Sequence, residues 1–407
     1  MYKLVGRSRA LRFLGRRQIY RRKRAAPRLL YLDDLKAEAP LRGWIYTPVS
    51  PMVVQMSVPS KTIPEDALEI VQHAQRLVKS HYARAGGMDC VSRMWYATLL
   101  SVMRYPVYET FTCEIPDVFI GVPNGEVISN AFEALTQSSR LKWAEVFMDH
   151  VPDPGRRLPG TCVSLLGLFS TDYGHWMIDI LTRLALIPDR LNDFLYIVPE
   201  GELPRFKLES LDLLGISREQ LVPLARGWHR LERVLICHQA QRSIVPKRQH
   251  LLDLRNTFYK AAFDGEERSA PWRKVYVSRN KSRRKILNEP EILPVLRDYG
   301  FERYFCEELS FKDQVRLFAE TRYILGPHGA GLNSDILCEP GATVIELLNP
   351  ARWNPCVRGV ANIMGHEHWY LFGENRNQEY DMTVDPMKLE KLLAYVFERE
   401  HILELEY

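Results

Sequence analysis

The chain has 407 residues, 46% hydrophobic and 26% charged, enough for two domains with their own cores and too apolar for disorder over most of its length. No stretch approaches the roughly 20 apolar residues of a membrane span, and the basic start is not followed by the apolar segment of a secretory signal. Charge is uneven: residues 1–28 hold eleven Lys or Arg and no acid, so the remaining 44 basic against 50 acidic residues leave the rest of the chain at −6.

That basic start, residues 1–30, reads either as a flexible solvated tail or as an anchor on an anionic membrane surface, with Leu4, Val5, Leu11, Phe13, Leu14, Ile19 and Tyr20 inserting beside the cations. Nucleic acid is not an expected partner, because no recognition module accompanies the charges. Pro-rich lead-in around Pro40 to Pro64 precedes an amphipathic helix over Glu65 to Ala83. Residues 107 to 130 alternate in the β manner, with Asn124-Gly125 as a hairpin turn between Val118–Val122 and Glu126–Ser129. Seven scattered cysteines, never in CxxC spacing, read as reduced core residues of a cytoplasmic protein.

From residue 161 strands and helices alternate. Strands are expected at Cys162–Phe169, Phe194–Val198, Leu221–Leu224 and Val234–His238, and helices at Gly174–Ile187 and Leu203–Leu214. A second series opens with the strand Lys274–Val277. Its helix is punctuated by Asn288 as N-cap, Glu291 as capping-box partner and Gly300 just past the end. After Phe301–Phe305 and a helix capped by Ser310, the strand Tyr323–Leu325 breaks into Gly326-Pro327-His328-Gly329-Ala330-Gly331, then a short helix and the strand Ala342–Leu347. The last helix, about Pro386 to Leu403, has Leu389, Leu392, Leu393, Val396 and Phe397 on one face. Two β/α series imply two Rossmann-like domains, residues 31–262 and 263–407, facing each other across a cleft.

Three places carry candidate chemistry. His175, Asp179 and Arg183 recur every fourth residue where a strand hands over to a helix, so one face offers an imidazole, a carboxylate and a guanidinium. A neighbouring carboxylate raises a histidine's basicity and fixes its tautomer; an Asp179–Arg183 salt bridge beside a hydrogen-bonded histidine is the plainer alternative. Ser278-Arg279-Asn280-Lys281-Ser282-Arg283-Arg284-Lys285 places five cations in a loop after a strand, suited to a diphosphate or merely solvated. The turn Gly326 to Gly331 offers backbone N–H groups at a helix start, and parallel strands would put it on the same sheet edge as that loop. Glu346, at a strand end, could accept both hydroxyls of a ribose or cap the strand. His366 and His368 share a strand face without a third metal ligand in sight, and no Asp-x-Asp is present, so no metal site is expected.

Together, Gly174-His175-Trp176-Met177-Ile178-Asp179, Ser278-Arg279 with Arg284-Lys285-Ile286-Leu287-Asn288-Glu289, Gln314, and Gly326-Pro327-His328-Gly329-Ala330-Gly331-Leu332-Asn333 with Val344-Ile345-Glu346-Leu347 resemble the family 61 glycosyltransferases over roughly residues 161 to 350. The resemblance implies a GT-B fold and inverting transfer from a nucleotide sugar, usually a UDP-sugar, to a glycan or glycolipid hydroxyl; the missing Asp-x-Asp makes that transfer an expected metal-independent one. The capsule- or exopolysaccharide-type members are the expected relatives. It implies that Arg279, Arg284, Asn288, Gly326 and the stretch His328, Gly329, Ala330, Gly331 bind the donor, with Asn333 or Glu346 at the nucleoside and Arg183 nearby. His175 is the base with Asp179 orienting it, or Asp179 is the base itself. No cofactor is implied. A sugar-nucleotide epimerase or hydrolase, and a non-catalytic polysaccharide-assembly protein docked to the membrane, are the competing classes.

Overall fold

A computed structural model describes residues 28–31, 35–63, 103–107, 109–131, 133–136, 157–167, 170–238 and 246–405. The expected helix at Glu65 to Ala83 and residues 1–27 of the basic start lie outside them. Where the expected tail ends, Arg28–Tyr31 is a strand paired in parallel with Glu133–Thr136, so sheet structure begins at Arg28 rather than after residue 30.

The architecture is mixed α/β. Among the described residues the first sheet has nine strands, and its parallel half is formed by Gly227–His238, Arg157–Ser164, Leu195–Pro199 and Leu221–Leu224 in that spatial order. The Asn124-Gly125 turn does join two antiparallel strands, Thr110–Val122 and Glu126–Ser129. However, Gly227–His238 pairs antiparallel with Thr110–Val122, which fuses the hairpin region to the parallel half in one sheet. A purely Rossmann-like first domain is therefore corrected to a mixed sheet. The physical reason is length: a twelve-residue strand exposes two long edges, and each finds a partner.

The second sheet is parallel throughout. Its order is Glu302–Tyr304, Arg273–Val277, Thr321–Pro327, Thr343–Leu348, Glu367–Phe372. The chain starts on the second position, steps outward once, then returns to add strands on the other side. Such an order creates a switch point between Arg273–Val277 and Thr321–Pro327, outside whose carboxyl ends two loops diverge. Helices cover both faces. On one face, Phe311–Ala319, N-capped by the Ser310 side chain accepting from Asp313 N at 3.0 Å, and Arg248–Phe263 share a core with Trp176, Met177, Val275, Ile324 and Val344. On the other, Glu289–Asp298 and the terminal helix Pro386–Leu405 pack Ile292, Leu296, Leu389, Leu392 and Leu393 against Tyr323, Leu325 and Ile345. Fully burying each such side chain is worth about 1.5–3 kcal/mol, so the shared core of the first face ties the two sheets together.

The expected boundary at 262/263 is crossed elsewhere. Lys61 bridges Trp369, and its N–H donates to His368 O at 2.8 Å, so the segment around residues 60–63 extends the second sheet beyond Glu367–Phe372. Among the described residues, no helix is long and apolar enough to cross a membrane.

Candidate active site

The stretch from 172 to 184 begins as one helical turn, Tyr173–His175, and continues as π-helix over Trp176–Leu181 before a last turn, Thr182–Leu184. A π segment inserts extra backbone into a helix and often accompanies a functional site. Its buried face is anchored by Trp176, whose Nε1 donates to Ser210 Oγ at 3.0 Å. Its other face carries His175 and Asp179, with Nδ1 of the imidazole 2.6 Å from Oδ2 of the carboxylate. In the tautomer that carries its proton on Nδ1, the carboxylate accepts that proton and Nε2 is the basic nitrogen. Arg183 turns away from this face: its guanidinium donates to the carbonyls of Ser164 at 3.4 Å and Leu166 at 3.2 Å. It does not line the cavity, and the expectation that it sits beside the substrate is corrected to a strap across the end of a strand.

This face borders a cavity of about 1070 Å³. The opposite wall is the carboxyl edge of the parallel sheet at its switch point. Arg279 and Arg284 project from the loop after Val277, and His328, Gly329, Ala330, Gly331 and Asn333 come from the turn after Pro327. The short run Ala330–Leu337 is a 3₁₀ helix. Gly329 has no Cβ for a reason visible here, since a Cβ would overlap the Arg279 guanidinium, which lies against the turn. Arg284 is held at φ 62, a left-handed conformation unusual for a long side chain. Burial and the neighbouring Arg284 push the Arg279 guanidinium down to about 10, and burial, Arg352 and Arg283 lower Arg284. Among the described residues no carboxylate is within ion-pair distance of Arg279 or Arg284, and like charges at close range favour an anion between them.

His328 joins this wall with its own carboxylate. Its Nδ1 is 2.6 Å from Glu346 Oε1, and Glu346 Oε2 lies 3.1 Å from His368 Nε2, whose Nδ1 is 2.9 Å from Ser60 Oγ. Glu346 is 1% exposed. Burial would raise its carboxyl, but His328 and His368 outweigh it and hold the group at about 2. Glu346 thus stands behind His328, and a direct contact with a ribose is corrected: the parallel register that places Gly326 beside Glu346 turns the carboxylate toward the histidines. Gly326 is also off the cavity, because a Cβ there would come 2.8 Å from the Val277 carbonyl, so this glycine serves strand packing. Asn288 is likewise corrected. It does occupy the N-cap position of Glu289–Asp298, but its amide bonds the N–H and the carbonyl of Val384, at 3.0 and 2.8 Å, and does not reach the cavity.

The two walls touch through Asn333. A Cβ on Gly174 would overlap the Asn333 amide nitrogen, and Asn333 Oδ1, buried, has no hydrogen-bond partner among the described residues. His366 and His368 serve the interior: His366 Nε2 lies 2.9 Å from the Asp335 carbonyl. Among the described residues no group of three His, Cys, Asp or Glu is arranged to hold a metal ion. Burial pushes the Cys306 and Cys356 thiols, which also line the cavity, up to about 12, so neither is a ready nucleophile. Arg205, Arg352, Asn354 and Tyr380 complete the wall without having been singled out from the sequence. Arg352 and Asn354 were findable, since they follow the strand Thr343–Leu348 at the same carboxyl edge; Tyr380 carried no signal.

Residues 173–345 match the family model described as Glycosyltransferase 61. The chain is 34% identical over 164 residues to an EGF domain-specific O-linked N-acetylglucosamine transferase of Pan troglodytes, covering 39% of this chain and 30% of that protein. The Drosophila melanogaster protein of the same name is 33% identical over 94 residues, 22% of this chain and 18% of its own length. A protein O-linked-mannose beta-1,4-N-acetylglucosaminyltransferase 2 of Takifugu rubripes is 29% identical over 116 residues, 27% of this chain and 20% of that one. The chain spans less than a third of the length of each of these relatives. The matched region contains both cavity histidines and the arginine loop, so these groups lie in the part of the chain that is similar to glycosyltransferase family 61.

Proposed function

We propose that this chain moves a sugar from a nucleotide sugar to an acceptor hydroxyl, with inversion at the anomeric carbon. The observation that carries this reading is one cavity with a carboxylate-oriented histidine on one wall and two guanidiniums without a carboxylate partner on the other. In a GT-B-like arrangement the parallel sheet is the donor half, and the 172–209 stretch is the acceptor-side wall. His175 Nε2 takes the proton of the acceptor hydroxyl while Nδ1–H stays with Asp179. The hydroxyl oxygen attacks the anomeric carbon, and the bond from that carbon to the diphosphate oxygen breaks. Arg279, Arg284, His328 and the N–H groups of the 328–331 turn receive the charge that develops on the leaving diphosphate. Guanidiniums can do this without a metal, and the transfer is expected to persist in EDTA.

Both relatives' names specify N-acetylglucosamine, so a UDP-N-acetylglucosamine donor is the first to test. The acceptor class is a glycan, glycolipid or protein hydroxyl. Placement at the cytoplasmic face of a membrane through residues 1–28, and use in capsule or exopolysaccharide assembly, rest on the sequence pattern and the resemblance.

The test is a thermal-shift screen over UDP-, GDP- and CMP-sugars, followed by UDP release and product anomer analysis with candidate acceptors. A donor at 100 times its Kd should stabilise the fold by about 2.7 kcal/mol. No shift with any donor, or an isomerised free sugar as the product, would overturn the reading.

A further inference from the structure

The cavity wall also includes Tyr380, a residue the proposed transfer does not use. Its backbone is left-handed, φ 63, and the residue is 37% exposed. A bulky residue rarely holds this conformation, and one that does is over-determined by its surroundings. Those surroundings are specific. The Tyr380 carbonyl accepts from Asn349 Nδ2 at 2.9 Å, and its N–H donates to the Asn377 carbonyl at 3.3 Å. The next residue, Asp381, accepts from the Lys285 N–H at 2.7 Å and from Asn377 Nδ2 at 2.9 Å. Met382 N donates to the Lys285 carbonyl at 2.9 Å, and Leu287 N to the Met382 carbonyl at 2.8 Å.

These bonds stitch the turn bearing Tyr380 to the loop bearing Arg284, so the two left-handed residues are fixed relative to each other. Arg352 bridges them: it is close enough to Arg284 to lower that guanidinium, and its own guanidinium carbon is 5.7 Å from the Tyr380 ring centroid. A partly exposed aromatic ring on a rigid backbone, backed by one guanidinium beside the proposed diphosphate site, is what a planar base needs. An acceptor sugar would instead be met beside His175, on the other wall.

Building on the donor-site reading, we infer that Tyr380 is the stacking platform for the nucleobase of the bound nucleoside diphosphate, with the Arg352 guanidinium over the ring's other face. Both residues lie outside residues 173–345, so the platform is a feature of this chain beyond the matched family region.

Calorimetric titration of the full chain with UDP, GDP and inorganic pyrophosphate tests it, using Tyr380→Phe and Tyr380→Asn; asparagine tolerates the left-handed backbone. Tyr380→Asn should weaken both nucleotides about tenfold, as loss of one base–aromatic stack does, while pyrophosphate binding stays at the wild-type value. Tyr380→Phe should keep wild-type affinity for all three. Unchanged nucleotide affinity in Tyr380→Asn, equal weakening of pyrophosphate, or a raised acceptor KM with unchanged nucleotide binding would each overturn the assignment. A wild-type chain that binds neither nucleotide nor pyrophosphate would bring down the donor site itself, a result distinct from those three.

Discussion

Two histidine–carboxylate pairs face one cavity at the same 2.6 Å separation, and their surroundings divide their work. His175 and Asp179 have side chains 35% and 20% exposed, on a helical turn whose wall also carries Asp172 and the Arg205–Glu209 ion pair. His328 and Glu346 are 7% and 1% exposed, beside Arg279 and Arg284. Glu346 is further committed to His368, which receives the Ser60 hydroxyl proton on Nδ1 and donates from Nε2. A half-open pair suits taking a proton from a neutral acceptor. A buried pair among cations suits holding a fixed imidazole against a leaving anion. The same local geometry is thus assigned opposite roles by what surrounds it.

The most direct way to break this division is kinetic. His175→Ala should lower kcat by about 10² to 10⁴, the contribution of a positioned base, with little change in donor KM. Asp179→Asn should fall in the same direction by a smaller factor if it orients His175, and by as much or more if it is the base. His328→Ala should cost on the order of 10² to 10³ and raise donor KM as well, because its loss is felt by the bound diphosphate. Steady-state kinetics with donor and acceptor varied separately would show it. An identical pattern for His175→Ala and His328→Ala would erase the distinction between the walls.

A second difference lies in stability. Glu346 is held at about 2 against its ordinary 4.5, so its pair stabilises the fold fully above the ordinary carboxylate range, and this is lost as pH falls from about 4.5 toward 2. Removing one member of such a buried pair costs about 3–5 kcal/mol. Glu346→Ala should therefore lower the urea midpoint sharply at neutral pH and flatten the dependence on acid. Asp179→Ala, at a half-open site, should lower that midpoint far less. Comparable losses for the two variants would mean that the buried pair is not held as the geometry indicates.

The first pair was legible in the sequence because it is local: residues four apart on a helix meet whatever the rest of the chain does, and they meet here despite the π segment. The co-location of the 278–285 loop and the 326–331 turn was also legible, because both follow strands of one parallel sheet. Glu346 was seen as a strand-end carboxylate, but which groups it meets depends on the register between Thr321–Pro327 and Thr343–Leu348 and on a return of the chain at Ser60. Nothing in one strand's composition encodes that. The mixed first sheet escaped for the same reason, since strand order is a long-range property. Tyr380 reaches the cavity through backbone bonds to Lys285, nearly a hundred positions away in the chain.

The smallest expected effects separate two glycines that looked alike in Gly326-Pro327-His328-Gly329. At Gly326 a Cβ would meet the backbone carbonyl of Val277 at 2.8 Å, and neither strand can yield without spreading the sheet. Gly326→Ala should therefore destabilise by about 1–3 kcal/mol, as overpacking does, and still bind the donor at permissive temperature as wild type does. At Gly329 the backbone is left-handed, φ 155, and the obstructing group is the Arg279 guanidinium, the far end of a flexible side chain. Gly329→Ala incurs backbone strain on the order of 1–3 kcal/mol, so its melting temperature should fall by a similar amount. The distinction is in affinity: displacing Arg279 removes a charged hydrogen-bond donor worth about 1.5–3 kcal/mol, so donor binding should weaken roughly tenfold or more. Paired thermal melts and donor titrations decide the matter. If Gly326→Ala lost donor affinity as Gly329→Ala does, the whole run would belong to the anion site, and the division between strand packing and ligand approach would fall.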